Sequence, residues 1–362
     1  MNEIRVWDNL KKEIDRGKKG YNVGLTMGFN RLTTHVCNIQ QGRYDTIGGA
    51  TGTGKTALVD SAYVFHPYDY LQNNDSFYKL EIIYYSLEIE PTVKLAKFVA
   101  RKIWEDHGIL TNVNQIYSKG NHKVPKKVLD ILDTYEGYFD EMQKRTLFFR
   151  SSMSPNYLYK DLMDYAEARG TFVRNDDNIV IQYIPKDPFL ITLVIIDHIG
   201  LIEGNKEDQG NKKKAIDRAS KILVYFRNMC KFSPVVVSQF NRGIEGMDRK
   251  ENDSQEPQLS DFKDTGATQE DANTVMALFH PFKYGMEKHR GYPITLLQRR
   301  YRSNHILKNR DGMDGLVVGM HFLGEVGKFK ELPPAKDLEN NPNLIRKIMA
   351  YGKVETTNSD RK

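Results

Sequence analysis

Apolar residues recur along the chain in two alternating rhythms. Ile4, Trp7, Leu10 and Ile14 fall three and four apart, which predicts a short amphipathic helix at the N-terminus. That stripe fits packing on its own domain or docking on a neighbouring subunit. The Gly-bearing stretch GKKGYNVGLTMG that follows reads as a connector. Tyr44 to Ile47 reads as a buried strand running into GGATGTGKT and an apolar helix, ALVDSAYVF. LEIIYYS, from Leu80 to Ser86, is a second strand rich in β-branched and aromatic residues. Helical stripes follow at Val93 to Ile103, Pro125 to Lys144 and Leu158 to Ala166, with a short strand at Leu147 to Phe149. Phe172 to Ile184 alternates around a polar turn and predicts a hairpin. Leu193 to Ile196 is a continuous apolar strand ending in Asp197. A polar stretch covers Glu203 to Lys214, and a helix from Ala215 leads to the strand Val235 to Val237. Further strands are expected at Thr274 to Phe279, Ile306 to Lys308 and Leu316 to Phe322. Beyond about 333 the chain turns polar after two prolines, which reads as a tail.

Strands alternating with helices imply an α/β fold, with a mostly parallel central sheet and helices on both faces. The shorter late connections imply antiparallel strands at one edge. At 362 residues, with 40% hydrophobic and 28% charged residues, the chain can bury a sizeable core. No apolar run reaches the roughly 20 residues of a membrane span, so no membrane partner is expected. Cys37 and Cys230 are far apart and lack metal-ligand spacing, which fits a cytoplasmic setting. The net charge of +6 permits an acidic partner but decides little.

The strongest chemical signal is the run Gly49, Ala50, Thr51, Gly52, Thr53, Gly54, Lys55, Thr56. It fits G-x-x-x-x-G-K-[ST] between a strand and a helix, with Ala57 opening the helical run. Its glycines let backbone N–H groups surround phosphates, and the helix N-terminus adds positive charge. Lys55 is expected to reach the β- and γ-phosphates of ATP or another NTP or dNTP, and Thr56 to ligate Mg²⁺. Asp197 ends its strand at the edge where such sheets bind ligands, so it is the second Mg²⁺ candidate. Glu88 follows the next strand and can polarise water, although a Glu at a helix start is equally ordinary. Gln239 follows PVVVSQ and either senses the γ-phosphate or merely ends a strand.

Several segments together resemble the DnaB-type replicative helicases and their phage relatives. They are GATGTGKT, SLEIE at Ser86 to Glu90, LVIIDHIGLI, SQFNR at Ser238, LSDFKDTGATQEDAN ending at Asn273, and KNRDGMDG at Lys308. The resemblance covers roughly residues 22 to 330. It implies a RecA-like P-loop motor at 21–332, after a linker helix at 1–20 and before a tail at 333–362. It makes Glu88 the catalytic base and Gln239 the γ-phosphate sensor. It makes Arg310, with Lys308, a finger inserted into a neighbour's site. Lys263, Asp264 and Gly266 become contacts to DNA, and the lysine-bearing stretch Glu203 to Lys214 a second candidate for that role. The implied partners are single-stranded DNA, forked duplex, five further copies in a hexamer, and primase or other replisome proteins. Only about 20 residues precede the motor, where the family carries a primase-interacting domain, so primase coupling is in question. The implied activity is ATP-driven 5′→3′ unwinding in DNA replication. A strand-exchange recombinase and a nucleotide-gated assembly factor without unwinding activity remain alternatives.

Overall fold

The computed structural model describes residues 6–149, 153–245, 249, 255–263 and 266–350. Its centre is a nine-stranded sheet. In chain order the strands of the protein are β1 (Asp45–Gly49), β2 (Lys79–Ser86), β3 (Thr146–Phe149), β4 (Gly170–Arg174), β5 (Val180–Pro185), β6 (Leu190–Asp197), β7 (Ser233–Gln239), β8 (Thr274–Phe279), β9 (Lys288–His289), β10 (Tyr292–Pro293), β11 (Tyr301–Asn309), β12 (Val317–Leu323) and β13 (Lys328–Glu331). The sheet order is β13-β12-β11-β8-β1-β7-β6-β2-β3. From β3 to β8 every pairing is parallel; β11, β12 and β13 add on antiparallel at the other edge. This is the expected RecA-like α/β core. β4 and β5 form the expected hairpin outside the sheet.

Side chains alternate across the strands as the pleat requires. Ile82, Tyr84, Leu193, Ile195, Val235 and Val237 enter the core on one face. Ile83, Tyr85, Val194, Ile196 and Val236 enter the core on the other, with helix Lys212–Cys230. Burial on both faces explains why the central strands read as unbroken apolar runs. Gly48 in β1 is needed for packing. A Cβ there would lie 2.4 Å from the Phe262 ring and 2.7 Å from Phe240. Gly48→Ala is therefore expected to cost about 1–3 kcal/mol in urea unfolding. A variant as stable as the parent would show that the two rings yield freely.

Three segments depart from expectation. The helix after the phosphate loop is not uniform. Lys55–Val59 passes into a π-helical stretch, Asp60–Phe65, before His66–Asn73. All six residues of that stretch are buried. The helix expected to begin at Ala215 begins at Lys212, because the Asn211 side chain accepts the Lys214 N–H and caps it. The stretch expected to be a tail holds two helices, Ala335–Asn340 and Pro342–Ala350. Leu338, Leu344, Ile345 and Ile348 pack there with Tyr292, Ile294 and Leu297.

The N-terminal helix, Val6–Lys18, buries none of its residues, and Trp7, Leu10 and Ile14 stay exposed. Its own domain does not cover the apolar stripe. Among the described residues, no helix is long and apolar enough to cross a membrane.

Candidate functional site

The parallel strands deliver their ends to one edge of the sheet. Gly49 of β1 pairs with Gln239 of β7, and Ser86 of β2 pairs with Asp197 of β6. A cleft of about 520 Å³ opens there, lined by Gly52, Gly54, Lys55, Thr56, Glu88, Asp197 and Gln239 among others.

The phosphate loop is a tight turn ending in Gly54, whose φ of 98° caps helix Lys55–Val59. That φ lies in the left-handed region that glycine alone enters at little cost. Gly54 also has no room for a side chain, because Phe322 and Phe329 lie behind it. Thr53 Oγ1 donates to the Ala50 carbonyl at 2.8 Å. Arg302, on β11, donates from Nε to the Thr53 carbonyl at 2.8 Å and braces the loop from below. Burial lowers the Arg302 pKa to about 10, and it remains a cation at neutral pH. The Lys55 ammonium folds back onto the Gly49 and Ala50 carbonyls at 2.8 and 3.1 Å. An ammonium held over a curled loop is positioned to exchange those carbonyls for phosphate oxygens.

Asp197 is 2% exposed. One carboxylate oxygen accepts from the Tyr84 hydroxyl at 3.3 Å, while Oδ1 is buried without a hydrogen-bond partner. A buried carboxylate oxygen left unpaired in the cleft that Thr56 also lines suits a hard cation, so Thr56 and Asp197 fit Mg²⁺. Glu88 stands across the cleft, its side chain 56% exposed, with Oε2 4.0 Å from His198 Nε2. His198 Nε2 lies 3.1 Å from Gln239 Nε2. Glu88, His198 and Gln239 thus form a row beside the loop.

Beneath the cleft lies a charge cluster that the sequence reading missed. Lys94, fully buried, contacts Asp60 Oδ1 at 2.8 Å, the Tyr84 hydroxyl at 2.6 Å and Asp197 Oδ2 at 3.8 Å. Tyr84 also donates to Asp60 at 3.0 Å. Burial raises the Asp60 pKa, and Lys94 opposes that rise. His198 was missed too; its only sequence signal was its place next to Asp197.

Lys308 and Arg310 are not at this cleft. β11 runs antiparallel to β8, so Lys308 pairs with Val275 and Asn309 with Thr274. Thr274 pairs with Asp45, the first residue of β1, whereas the phosphate loop follows its last. The four intervening steps span about 13 Å. There Lys308 Nζ donates to the Gln269 and Glu270 carbonyls at 2.7 and 2.8 Å, and Arg310 Nη2 donates to Glu270 O. Burial and the neighbouring Arg310 lower the Lys308 pKa.

Lys263 is exposed, and its backbone N–H donates to the Gln239 carbonyl at 2.8 Å. Gly266 is exposed and opens the short helix Gly266–Asp271. Asp264 lies outside the described residues. In the other candidate stretch, Asp208 accepts the Asn205 N–H and meets Arg218 at 3.3 Å, which folds the polar run back onto its own helix.

Residues 180–331 match the family described as the DnaB-like helicase C terminal domain. Over those residues the chain is similar to that family. Its curated relatives of the DnaB type include the "Replicative DNA helicase DnaC" of Bacillus subtilis, 25% identical over 140 residues, covering 39% of this chain and 28% of that protein. The "Replicative DNA helicase DnaB" of Helicobacter pylori is 23% identical over 282 residues, covering 77% of this chain and 48% of that protein. The chain thus spans about half or less of the length of these relatives. Among solved structures, an isolated ATPase domain superposes with a TM-score of 0.68 at 18% identity, over 92% of this chain and all of that one. A DnaB-like replicative helicase described with its interactions with primase gives 0.66 at 19% identity, over 92% of this chain and 68% of that one. Both share the fold.

Proposed function

We propose that this protein is an ATP-hydrolysing replicative DNA helicase working as a ring of six subunits around one DNA strand and moving 5′→3′. The observation that carries this reading is the separation of Arg310 from its own cleft. Phosphate loop, Asp197, Glu88 and Gln239 gather at one end of the sheet, while Lys308 and Arg310 stand at the other. Two cations so placed serve hydrolysis only in a neighbour's cleft, which makes turnover depend on assembly.

In this mechanism the loop N–H groups and Lys55 bind the β- and γ-phosphates. Mg²⁺, held by Thr56 and Asp197, supplies neutralising charge there when bound. Glu88 takes the proton of the attacking water, and Gln239 bonds the γ-phosphate. The rest is leverage. Gln239 holds the Lys263 N–H through its carbonyl, and Arg310 and Lys308 grip the far end of the helix that begins at Gly266. The segment 263–271 therefore spans its own subunit's phosphate sensor and the cations offered to the next subunit. Loss of γ-phosphate at either site moves Lys263 and Gly266. With Asp264, they meet the DNA backbone without reading its sequence. The exposed face of helix Val6–Lys18 docks on the adjoining subunit in this reading.

The test is a forked-duplex unwinding assay with ATP. Wild-type protein is expected to displace the strand. Lys55→Ala and Glu88→Ala are each expected to lose DNA-stimulated ATPase by at least about 100-fold with unchanged thermal unfolding. Turnover without displacement would favour an assembly factor, and long filaments in electron micrographs would favour strand exchange.

A further inference from the structure

A second polar cluster lies away from the nucleotide cleft, where three separate segments meet. Glu256 precedes the segment Leu259–Asp261, His289 lies in β9 and His305 in β11. Their ligand-type atoms all lie within 4.8 Å of one another. His289 and His305 are buried. We propose that Glu256, His289 and His305 form a binding site for a divalent transition metal, with zinc the best match.

The donor set is two imidazoles and one carboxylate, a common three-ligand set for zinc. Donors around a tetrahedral zinc stand about 3.3 Å apart. His289 Nε2 lies 2.9 Å from Glu256 Oε1, and no pair of the three donors is more than 4.8 Å apart. His289 Nε2 is buried beside that carboxylate oxygen. A buried nitrogen this close to a carboxylate oxygen suits a shared cation. Each imidazole is also steadied through its other nitrogen. His289 Nδ1 lies 3.1 Å from the Tyr301 hydroxyl, and His305 Nε2 lies 3.0 Å from Ser303 Oγ. Such outer bonds fix ring orientation around a metal.

Arg290 is the competing cation. Its Nε donates to Glu256 Oε1 at 2.7 Å and its Nη2 to Oε2. The metal takes Oε1 and leaves Arg290 on Oε2. The bound metal would pin the stretch before Lys263 to β11, the strand that leads to Lys308 and Arg310.

The experiment is titration of the chelator-stripped full chain with zinc chloride by calorimetry, with metal content counted after gel filtration. One equivalent of zinc per chain is expected. It should survive Asp197→Ala, which alters the nucleotide cleft, and disappear in His289→Ala and in His305→Ala. Ser303→Ala, which leaves all three ligands in place, is expected to weaken binding about 10–100-fold. No tight zinc in the wild-type chain would overturn the proposal. Binding that persists in a folded His289→Ala/His305→Ala chain would overturn it equally, by putting the ion elsewhere. If both histidine variants fail to fold, undiminished affinity in Ser303→Ala would count against the site.

Discussion

Replacing Arg310 with Ala is expected to lower ATP turnover of the assembled protein by about 10³–10⁵-fold while nucleotide still binds. The guanidinium lies at the opposite end of the sheet from its own phosphate loop, so its loss leaves that loop, Lys55 and Thr56 unaltered. On the proposed mechanism, what disappears is the cation that neutralises charge on the transferring phosphoryl group in the next subunit. Within the chain the Arg310 side chain donates to the Glu270 carbonyl, an exposed bond whose loss costs little stability. Steady-state ATPase assays beside fluorescent-nucleotide binding check the split. Equal losses in binding and turnover would point to a folding defect. Unchanged turnover would remove Arg310 from the chemistry.

The second large effect concerns stability. Lys94→Met is expected to destabilise the fold by about 3–5 kcal/mol in urea unfolding. Lys94 is fully buried and is the cation between Asp60 and Asp197. Without it, two buried carboxyl groups are left side by side with no cation between them. Burial already raises the Asp60 pKa, with Lys94 the main opposing influence. Its removal drives the carboxyl further toward the neutral acid. Adding Asp60→Asn to Lys94→Met removes one stranded charge and is expected to recover most of the loss. A single variant within about 1 kcal/mol of wild type would show that the cluster relaxes or takes up water.

The parts of the site that the sequence reveals are those made by short stretches with strong local demands. The phosphate loop is legible because glycines, a lysine and a threonine must stand in fixed order between a strand and a helix. The placing of Glu88, Asp197 and Gln239 at one edge is legible because each closes or follows an apolar strand, and parallel strands bring those ends together, whereas the roles of Glu88 and Gln239 come only from the family resemblance. Lys94 is not legible in the same way. In helix Pro91–His107 it stands four residues before Phe98 and seven before Arg101, on a buried stripe. A lysine in an amphipathic pattern ordinarily marks the wet face. Its partners, Asp60 and Asp197, come from distant segments. Asp60 also sits in a π-helical stretch for which no residue pattern was evident. Arg302 is hidden for a related reason, as a cation within a strand whose carbonyl partner lies 249 residues away. Two adjacent prolines marked where the sheet ends, and the polar composition beyond them obscured the 344, 345, 348 and 349 spacing that packs helix Pro342–Ala350.

Mixing two inactive variants tests the subunit-shared site most directly. Arg310→Ala subunits keep a sound phosphate loop, and Lys55→Ala subunits keep a sound guanidinium. Neither alone should hydrolyse ATP. Combined and allowed to exchange, they should form interfaces with one intact half from each, and turnover should reappear, peaking near equal proportions. Mixtures as inactive as their components at every ratio, with gel filtration showing that the two had co-assembled, would contradict a cleft completed by the adjoining subunit.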